Sequence, residues 1–303
     1  MNFIAANGAM AHPVTKPASS TGSSSGGSEP GSKPESKQAS GLKTRVLSAL
    51  VLLPVVLGLL YLGGLSFALL MAVVAVLMAG EWDRLTGGPG FGLLGICAGL
   101  VLLLVLTLGH MEQVDWALLA LMPGVVIVAV LAWVKGRKVV WPILGLAWLG
   151  LPVLALLVLR MGDGGMAAVS WLFLCVWSCD TGAYFAGRGI GGPKLAPRIS
   201  PNKTWAGLLG GMAAAGLVSI LLAVFFAWDG VMLFAVMGAV LAAISQCGDL
   251  AESWVKRTFD VKDSGALIPG HGGILDRVDG ILFAAPVVAL ISLAPGFKLL
   301  PWQ

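Results

Sequence analysis

Residues 205–227, which read WAGLLGGMAAAGLVSILLAVFFA, form one uninterrupted apolar run without a single charged side chain. About 20 such residues are enough for an α-helix to cross the hydrocarbon core of a bilayer. The chain holds further runs of this kind at 91–108, 116–134, 139–159 and 231–247. Because these runs are continuous and do not alternate in short segments, they favour helices over a transmembrane β-barrel. The predicted fold class is all-α, that of a polytopic integral membrane protein.

The composition of the 303-residue chain agrees with this prediction. Hydrophobic residues make up 57% and charged residues 11%, whereas soluble domains have roughly 45–50% and about 25%. A water-soluble globule is therefore excluded. The four cysteines lie inside apolar runs and indicate neither a disulfide framework nor a zinc site. On so apolar a chain, a net charge of +4 indicates how the protein is oriented in the membrane and that it contacts anionic lipid. It does not indicate a nucleic-acid partner.

Nine candidate spans follow a Ser-, Gly- and Pro-rich segment, whose composition cannot bury enough apolar surface to become ordered. We therefore expect a disordered tail at 1–41, N-terminal transmembrane helices at 42–165, and a catalytic transmembrane region at 166–303 with cytoplasmic loops at 188–204 and 249–279. The predicted spans lie at about 46–62, 65–80, 91–109, 116–134, 139–159, 166–187, 205–228, 230–248 and 279–297.

The basic residues predict the orientation of these spans. If the N-terminus is cytoplasmic, 17 of the 19 Lys and Arg residues fall on the cytoplasmic side, and only Arg160 and Lys298 fall on the other. Cytoplasmic loops of membrane proteins carry such an excess of positive charge. Because a miscount of one span would invert the pattern, the split supports both the count of about nine and the orientation.

Four aspartates stand out against the apolar background. Asp180 lies in the sixth span, eight residues before Arg188, which on a helix is about 12 Å of depth. A carboxylate inside a membrane is a functional-site candidate, and a structural pair with a basic residue of a neighbouring helix is the alternative. Asp249 leaves the eighth span on a polar helix face that continues to Lys256.

Asp276 and Asp279 are three residues apart, on a helix expected to begin near Leu275. Acidic residues at a helix N-terminus are also ordinary partners of the helix dipole. If Asp249, Asp276 and Asp279 converge at one depth, they repel one another unless cations intervene. Oxygen ligands select hard ions such as Mg²⁺ or Mn²⁺, so these three aspartates are our predicted metal ligands.

Basic residues and glycine-dense loops surround these carboxylates. The loops are residues 187–193 and 269–273, where glycine lets backbone N–H groups approach phosphate oxygens. Carboxylates, cations and backbone donors together indicate polyphosphate chemistry. Because they lie at headgroup depth, we expect one substrate to be a lipid. The basic residues are Lys194, Arg198, Lys203, Lys256, Arg257, Lys262 and Arg277.

Residues 253–279, SWVKRTFDVKDSGALIPGHGGILDRVD, resemble the complete signature of the phosphatidate cytidylyltransferases, or CDP-diacylglycerol synthases. Further matches are GDLAES at 248–253, DTGAYFAGR at 180–188, SPNKTW at 200–205, and Glu81 with Trp82. The specific resemblance covers about 166–290. The chain departs from the pattern at Ala206, where the family often carries an acidic or amide residue.

The resemblance implies the reaction of CTP with phosphatidate to give CDP-diacylglycerol and pyrophosphate. It also implies dependence on Mg²⁺, with one or two metal ions left open, and metal binding at the positions of Asp249 and Asp276. A membrane-embedded homodimer in the cell's inner membrane is expected, with its active site facing the cytoplasm.

We predict two sets of site residues. The expected catalytic residues are Asp249, Asp276, Asp279, Lys256, Arg257 and His271. The expected substrate-binding residues are Asp180, Arg188, Ser200, Lys203, Thr204, Lys262, Asp263, Gly272, Gly273 and Arg277. For His271, shaping the loop or donating to phosphate is favoured over action as a general base, because a lipid phosphomonoester is already largely dianionic at pH 7.

Three other functions use similar parts. The CDP-alcohol phosphatidyltransferases carry a run of aspartates on one helix, and that pattern is absent from this sequence. A CTP-dependent lipid kinase is a closer alternative, which transfers the γ-phosphoryl group instead of the nucleotidyl group. A transporter with Asp180 on its ion path is the alternative without catalysis.

Overall fold

The structure is a computed structural model that describes residues 35–265, 267 and 272–293. This part of the chain is helical apart from loops and one two-stranded antiparallel sheet, which confirms the all-α fold class. The elements are α1 (Glu35–Leu62), α2 (Gly64–Leu85), α3 (Leu93–His110), α4 (Val114–Val134), α5 (Val140–Met161), α6 (Gly165–Gly189), β1 (Lys194–Ala196), β2 (Ser200–Thr204), α7 (Trp205–Phe225), α8 (Val231–Thr258) and α9 (Leu275–Leu293).

Seven of the helices within the described residues, α2 to α8, are long and apolar enough to cross a membrane. The apolar part of α1 is the shorter stretch Leu50–Leu62. Helix α9 begins with Leu275-Asp276-Arg277-Val278-Asp279, which places three charged residues at its start. The polytopic membrane architecture is thus confirmed, whereas the count of nine spans is not.

Several predicted boundaries need correction. Helix α1 begins at Glu35, so residues 35–41 are helical and do not belong to the tail. Helix α8 continues to Thr258, ten residues beyond the predicted end of its span at 248, so Asp249 lies inside the helix and the following loop covers only 259–274. The expected loop 188–204 contains the hairpin of β1 and β2. Residues 1–34 and 294–303 lie outside the described residues.

The helices pack as two groups, with α9 between them. Helices α2 to α5 contact one another, α6, α7 and α8 do the same, and α9 packs against α5, α6 and α8. Aromatic rings hold this junction: Trp148 of α5 lies 5.5 Å from the Trp82 ring of α2 and 5.0 Å from the Phe283 ring of α9, between centroids. Buried aromatic surface therefore fixes how α9 approaches the first group.

The chain crosses the bundle repeatedly, and contacts between helix ends define its two faces. We call the face that holds the C-terminal ends of α2, α4, α6 and α8 the site end. There Arg137, between α4 and α5, forms an ion pair with Asp83 of α2. At the opposite end, Arg160 Nε donates to the Leu60 carbonyl at 2.7 Å. Among the described Lys and Arg side chains, all except Arg160 belong to the site end.

Candidate active site

Asp249 and Lys203 form the centre of a polar cluster at the site end. Lys203 Nζ lies 2.5 Å from Asp249 Oδ2, and both side chains are mostly shielded from solvent. Lys203 stands in β2, one residue before Thr204, whose hydroxyl oxygen accepts the Gly207 N–H at 3.0 Å and caps α7. The cap fixes the start of α7. The preceding strand residue Lys203 is thereby held beside α8.

Gln246 connects this ion pair to the intramembrane Asp180. Lys203 Nζ donates to Gln246 Oε1 at 2.9 Å, and Gln246 Nε2 donates to Asp180 Oδ1 at 3.4 Å. Gln246 is buried, whereas Asp180 is exposed along α6. The alternative of a direct structural pair between Asp180 and a basic residue is not what the structure shows: an amide bridge through Gln246 links Asp180 to Lys203. Gln246 was not among the predicted site residues, although an amide at the end of an apolar run, one turn before Asp249, is a usable signal.

Asp279 completes this group, which we call the Asp249 cluster: Asp180, Lys203, Gln246, Asp249 and Asp279. The negative charges of Asp249 and Asp180 both act on the Asp279 carboxylate. Gly248 permits this proximity, because a Cβ there would come within 3.1 Å of the Phe283 side chain and 2.5 Å of the Asp279 carbonyl oxygen. Three of the four predicted carboxylates thus share one neighbourhood.

Asp276 belongs to an adjoining group, which we call the Asp276 cluster: Glu252, Lys256, Ser264, Gly273 and Asp276. Lys256 Nζ donates to Asp276 Oδ1 at 2.6 Å, while Oδ2 accepts the Ser264 N–H at 3.0 Å, the Ser264 hydroxyl at 2.9 Å and the Gly273 N–H at 3.2 Å. One carboxylate therefore holds the middle of the α8–α9 loop, at Ser264, to its last residues, at Gly273.

Charge balance explains how these acids coexist. Asp276 precedes the apolar part of α9; burial acts to raise its pKa, but the hydrogen bond and the charge of Lys256 outweigh burial and lower it. Glu252 is buried 3.3 Å from Lys256 Nζ, and the charges of Asp279 and Asp276 act on it. Glu252 therefore connects the two clusters electrostatically. The sequence placed it on the polar face of α8 but assigned it no role.

Two predicted arginines point to other partners. Arg257 Nε donates to the Ile199 carbonyl of the hairpin at 3.5 Å. Arg188 donates to the Tyr184 hydroxyl at 2.8 Å, one turn earlier on its own helix. Neither arginine has an ion pair with a carboxylate among the described residues. Both nevertheless stay at the site end.

The other predicted residues line the same end of the molecule. Ser200 begins β2, Lys262 and Asp263 are exposed in the α8–α9 loop, and Arg277 is exposed on the first turn of α9. Gly272 adopts φ +89°, a left-handed conformation that suits glycine. His271 lies outside the described residues.

The donor set fits a hard divalent cation in its chemistry. Asp249 and Asp279 supply carboxylate oxygens in one neighbourhood, and Lys203 provides the positive charge there in this structure. Asp276 lies in the adjoining cluster and is held by Lys256. Among the described residues, no group of three or more His, Cys, Asp or Glu side chains is arranged to hold a metal ion. The metal-binding trio therefore stays a prediction.

Comparisons with known proteins agree with the motifs. The sequence profile of the Cytidylyltransferase family matches residues 43–294. A phosphatidate cytidylyltransferase of Brucella suis biovar 1 is 44% identical over 260 residues, which cover 84% of this chain and 94% of the relative. Another from Pseudomonas aeruginosa is 39% identical over 280 residues, covering 84% and 98%. The matched region contains both clusters.

Proposed function

Because the chain belongs to the cytidylyltransferase family, we propose the following account of its reaction. The protein is a nucleotidyltransferase that transfers the CMP group of CTP to phosphatidate, giving CDP-diacylglycerol and pyrophosphate. The observation that carries the chemistry is the convergence of the two acidic clusters with Lys203 and Lys256 at one end of a membrane bundle. Two polyanions can meet there while the lipid tails remain in the membrane.

The reaction needs charge neutralisation more than proton transfer. A phosphate oxygen of phosphatidate attacks the α-phosphorus of CTP, a new P–O bond forms, and the bond to the bridging oxygen of the β-phosphate breaks to release pyrophosphate. The attacking phosphomonoester is largely dianionic at neutral pH, so no general base is required. The two lysines, each beside a carboxylate in this structure, are placed to pair with substrate phosphates instead.

Asp249, Asp276 and Asp279 would hold Mg²⁺ together with the substrate phosphates. The ion would supply positive charge at the phosphoryl group under attack and at the leaving pyrophosphate. Asp180 and Gln246 hold Lys203 from the membrane side. Ser264 and Gly273 hold Asp276 from the loop side. Asp249 and Asp276 are thus each held by residues of another segment.

We also propose that the protein lies in the cell's inner membrane as a homodimer, with the site end in the cytoplasm. The excess of basic residues at that end supports this orientation, because cytoplasmic segments of membrane proteins carry such an excess. CTP would then reach the site from the cytoplasm, and phosphatidate from the bilayer.

The test uses purified protein, phosphatidate, Mg²⁺ and CTP labelled at either the α- or the γ-phosphate. We expect the α-label in the lipid product and the γ-label in pyrophosphate. A lipid kinase would give the opposite result, with γ-label in the lipid. Phosphatidate-independent ion flux without any labelled lipid would instead support a transporter and refute the proposal.

A further inference from the structure

Glu81 is a buried acid near the C-terminal end of α2, and its hydrogen-bond partners lie far from it in the sequence. Its side chain is 2% exposed. No ion pair of the described residues includes it. A buried carboxylate without a charged partner is costly unless hydrogen bonds satisfy it. Its position therefore calls for a specific set of donors.

Those donors are the backbone N–H groups at the start of α9. Ile274 N–H donates to Glu81 Oε1 at 3.0 Å, and Leu275 N–H donates to Oε2 at 2.9 Å. The first N–H groups of a helix have no partner within that helix, and the positive end of its dipole favours an anion. Glu81 therefore caps α9 from another helix, using both carboxylate oxygens.

The same carboxylate packs against two points of the α8–α9 loop, Gly265 and Gly273. A Cβ added to Gly265 would lie 2.6 Å from Glu81 Oε1, and one added to Gly273 would lie 3.0 Å from that atom. The neighbouring N–H groups of Ser264 and Gly273 donate to Asp276. Glu81 and Asp276 thus hold the same two loop segments between them.

We propose that Glu81 is a positioning residue for the transfer reaction: it fixes the start of α9 and the loop at Gly265 and Gly273, and so sets the place of Asp276. It touches no reacting group and acts through the backbone of Ile274 and Leu275. This inference rests on the proposed function. It also gives α2, which carries no other assigned site residue, an indirect part in shaping the site.

The test compares Glu81→Gln with Glu81→Asp and with Asp83→Asn in the full-length protein. The amide introduced by Glu81→Gln can accept only one of the two backbone N–H groups, because its own NH₂ group faces the other. Asp83 is the matched control, because it is a buried acid two residues further along α2 that pairs with Arg137. Amide hydrogen exchange and steady-state kinetics are measured for each.

For Glu81→Gln we expect exchange at the amides of Ile274, Leu275, Ser264 and Gly273 to become faster by about tenfold. We expect kcat to fall by about 10²-fold, with little change in the CTP KM and partial recovery in Glu81→Asp. Asp83→Asn should lower the melting temperature without either change.

Two outcomes would overturn the inference: unchanged exchange at those four amides, or a loss of kcat in Glu81→Gln no larger than in Asp83→Asn at equal melting temperature. The exchange measurement does not depend on turnover. If the wild type formed no CDP-lipid, the proposed function would fail while the capping contact was still tested.

Discussion

At the scale of single residues, two lysines of the site end each place a positive charge beside an aspartate, where a bound metal ion would otherwise place one. Lys203 pairs with Asp249 and Lys256 pairs with Asp276, at 2.5 and 2.6 Å. Removing Asp249 leaves Lys203 without its carboxylate partner, and removing Asp276 leaves Lys256 with Glu252 alone. Either change also removes one of the oxygen donors that we propose for Mg²⁺. Loss of the aspartate from either cluster should therefore lower the activity.

We predict that Asp249→Ala and Asp276→Ala each lower kcat by on the order of 10²–10³ and raise the Mg²⁺ concentration needed for half-maximal activity. Asp229→Ala, an exposed position at the opposite end, serves as control. The measurement is a Mg²⁺ titration of turnover in detergent. Near-normal turnover with unchanged Mg²⁺ dependence in both variants would remove these residues from the catalytic centre.

For Asp180 we predict that Asp180→Asn folds normally and loses most of its activity. The substitution keeps the shape of the side chain and its contact with Gln246 but removes the charge. A residue used only for packing would keep its activity after this change. Melting temperature and CDP-lipid formation are measured together, and a stable variant with normal turnover would assign Asp180 to helix packing.

How far the site could be predicted from sequence depends on the distance between partners. Asp180 was visible because a charge inside an apolar run is costly, and Asp249 because it stands just after such a run. The partners of Glu81 lie 193 and 194 residues away, so no local pattern reveals its role. Lys203 was expected near the carboxylates and lies beside Asp249, but the Gln246 bridge that holds it arises only when α6, α7 and α8 pack together.

At the scale of elements, α8 extends beyond the apolar run on which its span was predicted. The apolar run ends at Cys247, the span was predicted to end at 248, and the polar helix face was expected to continue to Lys256. The helix continues to Thr258 because its later polar residues find partners: Glu252 pairs with Lys256, and Lys256 with Asp276. By contrast, the predicted start of α9 near Leu275 is confirmed, because polar residues and glycines precede it.

The contact between α6 and α7 depends on small residues, and it sets the distance between Asp180 and Lys203. A Cβ on Gly210 would lie 3.2 Å from the Gly182 carbonyl oxygen and would collide with Ala186. Small residues allow membrane helices to approach this closely. The position of the hairpin that carries Lys203 thus follows from side chains that carry no chemistry.

We predict that Gly210→Val destabilises the protein by about 1–3 kcal/mol through overpacking and lowers turnover, because it forces α6 away from α7. Gly58→Val in α1 is the matched control, since a Cβ at Gly58 has no neighbour within 4 Å. Thermal unfolding and CDP-lipid synthesis are compared for the two variants. Equal melting temperatures and activities would show that the helices tolerate the added volume.

At the scale of the whole molecule, the basic residues and the acidic clusters share one end of the bundle. Arg160 is the exception among the described Lys and Arg side chains, and at the opposite end it donates to the Leu60 and Tyr61 carbonyls. The end of the bundle that carries the basic residues also carries the candidate active site. One measurement of which side of the membrane this end faces therefore applies to both.

We predict that residues 135 and 262 face the cytoplasm and residue 163 faces the other side, because one span separates Lys135 from Asp163 and three separate Asp163 from Lys262. Single cysteines replace these exposed residues in a background without the four native cysteines. A membrane-impermeant maleimide added to intact spheroplasts should label Asp163→Cys at once and label Lys135→Cys and Lys262→Cys only after permeabilisation. Because α5 to α8 lie between these positions, labels of the same sidedness at 135 and 163 would contradict the span assigned to α5. External labelling at both 135 and 262 would show that the protein has the opposite orientation. CTP would then have no access to the site from the cytoplasm.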